Sequence, residues 1–440
     1  MSQYQAYTVR NFRDIPQLAA LPESVKKEIE IVSKVLPFKS NNYVVNELIN
    51  WDNIPNDPMY TLNFPRHELL KSQHFRSMAA MFINDWPQAL MKNKARRIHM
   101  ELNPDSSGQS HNVPMLHGHR VSGTQHKYRE TVLFFPQAGQ TCHAYCTFCF
   151  RWAQFSGLSH SRFSAKESAP VAAYIKAHPK VTDLLFTGGD PMIMKASVLQ
   201  SYLQPFLSDE LPHLRTIRIG TKSLAYWPYR YLSDSDADDI LRLFDRIVAS
   251  GRNLALMAHF NHPVELSTEA VHKAIKRIQA TGAQIRTQSP LLRHINDKPE
   301  IWTELWRRQV DLNCIPYYMF VERDTGAKHF FSVPLERCWQ IFRHAYQKVS
   351  GICRTVKGPV MSATPGKVQI MGVSKIQGEK VFVLQFIQGR NADWTGRPFF
   401  ASHDRTATWL SSLKPALGEK NFFFEKELKG MLSARLQPMG

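Results

Sequence analysis

The chain has 440 residues, about three times a usual domain length, with 43% hydrophobic and 21% charged residues, which excludes a small disulfide-stapled scaffold and a disordered or collagenous chain. The N-terminus MSQYQAYTVRNFRD carries no apolar segment and no run of about 18 apolar residues occurs, so neither a signal peptide nor a membrane span is expected, and the cytoplasm is the default location. Fifty-five Lys+Arg against 37 Asp+Glu give a formal charge of +18, which favours phosphate-bearing cofactors, acidic substrates or nucleic acid without choosing among them.

Taken in chain order, residues 1–130 read as an α-rich segment without repeats. Its densest basic run, Lys92 to Arg97 in KNKARR, stands where a helix is expected to end and reads as a solvated face. Six short apolar, β-branched or aromatic runs follow: Val132 to Phe135, Leu184 to Thr187, Thr216 to Gly220, Leu254 to His259, Gln284 to Gln288 and Ile315 to Val321. After a long first connection they begin about 30–40 residues apart, the length of one βα unit, and their continuous apolar character suits parallel strands covered by helices. One connection is legible in detail. From Ser267 the chain reads STEAVHKAIKRIQATG, in which Ser267 can cap a helix, Val271, Ala274, Ile275 and Ile278 form one stripe, and Gly282 can close it. Right-handed βα units wind into an open doubly wound sheet or a barrel, and six of them make an incomplete (βα)6 TIM-like barrel. The expected organisation is the α-rich segment at 1–130, the α/β repeat at 131–335 and a C-terminal extension at 336–440.

Either winding places chemistry at the strand C-termini, where polar groups recur. Three cysteines follow the first run, Thr187-Gly188-Gly189-Asp190 the second, Thr221-Lys222 the third, His259-Phe260-Asn261-His262 the fourth, Gln288-Ser289 the fifth and Glu322-Arg323-Asp324 the sixth. Cys142, Cys146 and Cys149, spaced C-x3-C-x2-C within QTCHAYCTFCFRW, read as metal ligands in a reducing compartment. Electron-carrying iron–sulfur cubanes take four cysteines, so three leave one iron open to a small molecule. Zinc would want a fourth ligand, and His143, adjacent to Cys142, is awkwardly placed to supply it. Cys314, Cys338 and Cys353 are isolated and read as ordinary core or surface residues.

The cysteine spacing, with Phe148 before the last cysteine, resembles the radical S-adenosylmethionine enzymes, and Gly188-Gly189-Asp190-Pro191 resembles their glycine-rich segment beside the cofactor's methionyl amine. The resemblance implies a 4Fe-4S cluster on Cys142, Cys146 and Cys149, and an incomplete six-unit barrel. Glycines would let backbone carbonyls approach the cationic amine, and Asp190 can offset its charge. Further segments resemble the lysine 2,3-aminomutase group in order and spacing: Cys149-Phe150-Arg151, Arg218-Ile219-Gly220, His259-Phe260-Asn261-His262-Pro263, Gln288-Ser289 and Pro316-Tyr317-Tyr318. From that likeness, Arg151 is expected to hold a substrate carboxylate, and His259 and Gln288 to lie near S-adenosyl-L-methionine. Lys367, in Thr364-Pro365-Gly366-Lys367, is expected to carry pyridoxal 5'-phosphate, with Lys127 and Arg129 as its phosphate ligands.

The implied activity is an isomerase that moves an amino group from C2 to C3 of an amino acid, with a flavodoxin or ferredoxin as electron donor and a homo-oligomer as one assembly. Lysine-specific members carry two aspartates for the distal ammonium, whereas this chain has Glu322-Arg323-Asp324 at one place and Ser362-Ala363 at the other, which argues against free lysine as substrate. Two other readings stay open: a radical enzyme that modifies an RNA base or a protein lysine without pyridoxal phosphate, and a non-catalytic iron–sulfur protein. Nucleic acid is a minority partner, since no RNA-binding module is visible.

Overall fold

All six apolar runs form strands, in the order the chain delivers them. The computed structural model describes residues 3–103, 111–156 and 163–434. An edge strand, β1 (Thr124–Tyr128), is antiparallel to β2 (Thr131–Phe134). Then come β3 (Asp183–Phe186), β4 (Thr216–Thr221), β5 (Asn253–His259), β6 (Gln284–Leu291) and β7 (Ile315–Val321), each parallel to its predecessor. β8 (Lys357–Ser362) is one more parallel strand, and β9 (Gly366–Ile376), β10 (Glu379–Gly389) and β11 (Pro398–Ser402) extend the sheet antiparallel. Spatial order equals chain order through all eleven strands. A doubly wound sheet reverses its strand order at a switch point, so that alternative is excluded for this mixed α/β sheet.

The sheet is strongly curved. Lys127 on β1 donates from Nζ to the Ala363 carbonyl just beyond β8, and the Tyr128 ring lies 5.4 Å from Lys367 Nζ. In a flat sheet seven strand spacings would separate β1 from β8 by about 34 Å. Curvature of this kind turns the strand C-termini toward a common interior. The sheet also runs through positions 130 and 335, and one core extends from Phe12 and Val32 to Phe386 and Phe424, so the three expected segments share both sheet and core. Among the described residues no helix is long and apolar enough to cross a membrane.

Two local expectations are corrected. In the helix Glu269–Ala280 the stripe Val271, Ala274, Ile275 and Ile278 is buried and Gly282 is left-handed (φ +79°), but the cap is Thr268, whose Oγ1 accepts from the Val271 amide, because the Ser267 hydroxyl is spent on the Val264 carbonyl. KNKARR lies inside the helix Gln88–Leu102 rather than at its end. The buried stripe Ala95, Ile98, His99 and Leu102 carries the helix past the basic run. Cys314, Cys338 and Cys353 are all buried.

Candidate active site

The cysteine loop leaves β2 and is held by the N-terminal segment. Lys39 Nζ donates to the Cys142 carbonyl (2.7 Å), Tyr4 Oη and Asn41 Nδ2 to the His143 carbonyl (2.7 and 3.2 Å), and the Tyr145 amide to the Lys39 carbonyl (2.7 Å). Thr147 is anchored twice, to the Leu62 and Thr61 carbonyls. Loop backbone would otherwise be mobile; these bonds fix where the three thiols point. His143 is buried and T-shaped against Tyr4, and burial drives its imidazole down to about 3, so it is a neutral core residue.

Burial and the nearby Asp190 carboxylate push the Cys142 thiol well up, while burial and Cys146 push Cys149 to about 12. Thiols so placed ionise only when a cation joins them, which is what bound iron does. Among the described residues only Glu28, His67 and Glu68 bring three metal-binding atoms within 4.8 Å of one another. At least one pair of the three cysteine sulfurs is therefore farther apart than 4.8 Å, wider than the about 3.8 Å of a tetrahedral zinc site. The loop fits a larger metal cluster.

Gly188 and Gly189 follow β3 and pack on this loop. A Cβ on Gly188, whose φ is +138°, would lie 2.1 Å from Gln140 Nε2, and one on Gly189 2.5 Å from the Thr141 amide nitrogen and carbonyl oxygen. The glycines are needed because two loops meet backbone to backbone. Gly189→Ala is expected to displace the cysteine loop, costing about 1–3 kcal/mol of stability by overpacking and lowering iron content after anaerobic reconstitution. Thermal melting and iron analysis check this; an unchanged iron content would count against it. Asp190 is buried and occupied: its carboxylate accepts from Thr221 Oγ1 (2.7 and 2.9 Å), the Lys222 amide (2.9 Å) and the Met192 amide (2.9 Å). Arg230, from the segment after β4, donates to the Met192 and Met194 carbonyls (2.8 Å each) and pairs with Asp236 (2.6 Å). Asp190 and Arg230 thus fix the turn.

His259 ends β5 and is in register with Gln288 on β6. Burial, aided by Lys222, drives His259 down to about 3, so it is neutral. Lys222 donates to Asn261 Oδ1 (2.8 Å) and the fully buried Glu265 (2.5 Å), and lies 4.4 Å from the Tyr226 ring. Glu265 Oε2 accepts from the Asn261 and His262 amides. This buried pair ties together the ends of β4 and β5, and the sequence gives no local signal for it.

Arg151 is 9% exposed, stacks 4.4 Å from Phe135 and 5.0 Å from Phe150, and its Nη1 has no hydrogen-bond partner among the described residues. Burial lowers it to about 10. A buried guanidinium with an unsatisfied N–H is costly unless an anion completes it. Arg323, just after β7, lies 5.2 Å from the centroid of the same Phe150 ring.

Lys367 opens β9 directly after the turn closed by the Ala363–Gly366 backbone bonds. Its Nζ donates to Gln388 Oε1 (3.0 Å) and sits 4.8 Å from Tyr318 and 5.4 Å from Tyr128. Burial, then the Arg218 charge, lowers it to about 7. Arg218 is itself paired with Asp183 (2.8 Å). Close by, Lys127 is driven well down by burial and by Arg390, Arg323 and Lys367. Arg390 donates to the Thr364 carbonyl (2.8 Å) and Asn112 Oδ1 (2.6 Å). Arg390 and Arg323 beside Lys127, with Arg218 beside Lys367, make a cationic surround that fits a phosphate-bearing carbonyl cofactor.

Arg129 is corrected. It lies in the β1–β2 turn, 56% exposed and paired with Glu130 (2.6 Å), because the register shifts after His126 and β1 stops at Tyr128. Arg390 is the arginine whose charge bears most on Lys127; no motif marks it, since it lies 23 residues beyond Lys367 and is brought back by the β9–β10 hairpin.

No protein-family model matches the chain. It is 33% identical over 359 residues, 82% of its length and 84% of the other's, to a protein of Aquifex aeolicus (strain VF5) provisionally named L-lysine 2,3-aminomutase. It is 26% identical to the L-lysine 2,3-aminomutase of Bacillus subtilis (strain 168) over 74% of this chain and 59% of that one. A solved radical SAM methyltransferase from Sphaerobacter thermophilus overlaps 53% of this chain and 68% of its own at 16% identity and TM-score 0.38, a likeness too slight to bear on the fold. The Aquifex match spans four-fifths of both chains at one position in three, and the chain belongs to the radical S-adenosylmethionine lysine 2,3-aminomutase family.

Proposed function

We propose that this chain is a radical S-adenosylmethionine aminomutase acting on an amino acid other than lysine, with pyridoxal phosphate on Lys367. Family membership implies a 4Fe-4S cluster and S-adenosylmethionine; the cofactor lysine and the substrate are our reading. The observation that supports it is a chain of interacting charges that runs from the buried guanidinium of Arg151 through Arg323 and Lys127 to the desolvated amine of Lys367. Arg323 approaches the same Phe150 ring as Arg151, and its charge bears on both Arg151 and Lys127.

In this reading the curved sheet is an incomplete six-unit barrel whose C-terminal rim is the active site. Cys142, Cys146 and Cys149 hold the cluster; Gly188, Gly189, His259 and Gln288 border S-adenosylmethionine, with Asp190 positioning the turn. Lys127 and Arg390 hold the phosphate of pyridoxal phosphate, and Arg151 takes the α-carboxylate. When bound, these cofactors supply a carbon-centred radical and the means to stabilise it. The chain's own part is to orient the amino acid and to lower Lys367 to about 7, so that a large share of it is neutral near neutral pH.

The substrate side chain is expected to meet Arg323 from the loop after β7, which suits an acidic or polar side chain and disfavours a lysine ammonium. The test is anaerobic turnover of glutamate, neutral amino acids, arginine and lysine, with product analysis. Glutamate or a neutral amino acid is expected to be converted, and Arg151→Ala to weaken substrate use by about 30-fold to several thousand-fold, the 2–5 kcal/mol of a broken buried charge pair. Efficient conversion of L-lysine to β-lysine would overturn the reading of the pocket.

A further inference from the structure

Half of the large exposed apolar side chains among the described residues lie along one helical hairpin. Of eight among the described residues, four sit on the hairpin formed by the helices Ser72–Ile83 and Gln88–Leu102: Ile83 (71% exposed), Trp86 (47%), Leu90 (46%) and Met100 (67%). Isolated exposed apolar groups are ordinary, but a group of them ringed by charge marks an interaction surface. The second helix buries Ala95, Ile98, His99 and Leu102 and turns Leu90, Arg97 and Met100 outward.

The charge around this patch has one sign. Arg76, Lys92, Lys94, Arg96 and Arg97 form no ion pair with a described residue. The hairpin's acids are Asp85, in its turn, and Glu101, which is engaged by His74 (2.9 Å). The same helix reaches the cysteine loop. The buried His99 ring lies 5.2 Å from Trp152, whose amide donates to the Cys149 carbonyl (3.1 Å). Arg96, Arg97 and Met100 are therefore about one helix diameter from Trp152.

We propose that this hairpin face docks an acidic, low-potential one-electron carrier protein of the flavodoxin or ferredoxin type. The inference rests on the proposed function, in which the cluster needs an electron from outside the chain. In that step the carrier loses one electron and the cluster gains one; no bond is made or broken and no proton moves. The basic ring steers an acidic partner and the apolar centre supplies contact that excludes water. A nucleic acid would use the cations but leave Ile83, Leu90 and Met100 without partners, so the patch favours a protein.

The experiment compares reductants. Reconstituted wild type and the triple variant Lys92→Glu, Arg96→Glu, Arg97→Glu are assayed for 5′-deoxyadenosine with dithionite, with reduced flavodoxin and with reduced ferredoxin. With limiting carrier the variant is expected to be at least about tenfold slower, and Leu90→Ser to be slowed as well, while both keep the dithionite-driven rate. Raising ionic strength from 0.01 to 0.15 M, which shortens the screening length from about 30 to about 8 Å, is expected to slow only the wild type with the carrier. Equal carrier-driven rates, or equal losses with both kinds of reductant, would overturn the docking face. Carrier-driven rates unchanged while the variant loses affinity for a bulk tRNA probe would assign it to nucleic acid instead. A wild type that yields no 5′-deoxyadenosine even with dithionite would sink the functional reading and the docking face with it.

Discussion

Replacing any one of Cys142, Cys146 and Cys149 with alanine is expected to reduce reductive cleavage of S-adenosylmethionine to background. With only three protein ligands, the loss of one leaves two irons without protein support. Cleavage assays alone could not separate lost ligation from a collapsed loop, but the loop is held by bonds that do not involve the sulfurs. Lys39, Asn41 and Tyr4 grip the carbonyls of Cys142 and His143, and Thr147 is anchored to Thr61 and Leu62. The alanine variants should therefore melt near the wild-type temperature while losing iron and sulfide. Cys353→Ala, at a buried cysteine outside the loop, is the control and should keep its cluster. Release of 5′-deoxyadenosine by a triple-alanine variant would remove the basis for the whole assignment.

What the sequence disclosed was whatever local patterning determines. Strands β2 to β7 came through because parallel strands covered by helices are continuous apolar runs, and Leu254 to Ala258 are all buried. The cysteine spacing and the glycine pair were visible because their chemistry is set over a few residues. Hidden from sequence were groups assembled across long separations. Asn41 serves a carbonyl 102 residues away, and Lys222 meets Glu265 across 43. Arg390 joins Lys127 only because the sheet curls and the β9–β10 hairpin folds back. The expectation for Arg129 rests on the family likeness alone, and a likeness in order does not fix a side chain's face: β1 stops at Tyr128, which leaves Arg129 in the turn.

Borohydride reduction of protein reconstituted with pyridoxal phosphate is expected to leave the pyridoxyl label on the peptide containing Lys367, and Lys367→Ala to abolish both label and turnover. The pH dependence carries the structural content. An ordinary lysine, titrating near 10.4, is less than about 1% neutral at pH 8, whereas one titrating near 7 is about 90% neutral there. Burial between Tyr128 and Tyr318 and the Arg218 charge bring Lys367 down to about 7. The sign follows: the neutral amine, which attacks the cofactor carbonyl, gains as pH rises through the folded value, so labelling should climb between about pH 6 and 8 and then level off. Initial labelling rates at fixed cofactor concentration measure this directly. Replacing Arg218 with Gln removes a cation that depresses Lys367 and leaves the half-buried Asp183, which raises it, without its partner, so the profile should move to higher pH. A label on another lysine, or a rate still climbing at pH 9 in the wild type, would reject Lys367 and shift weight to a radical enzyme that works without pyridoxal phosphate.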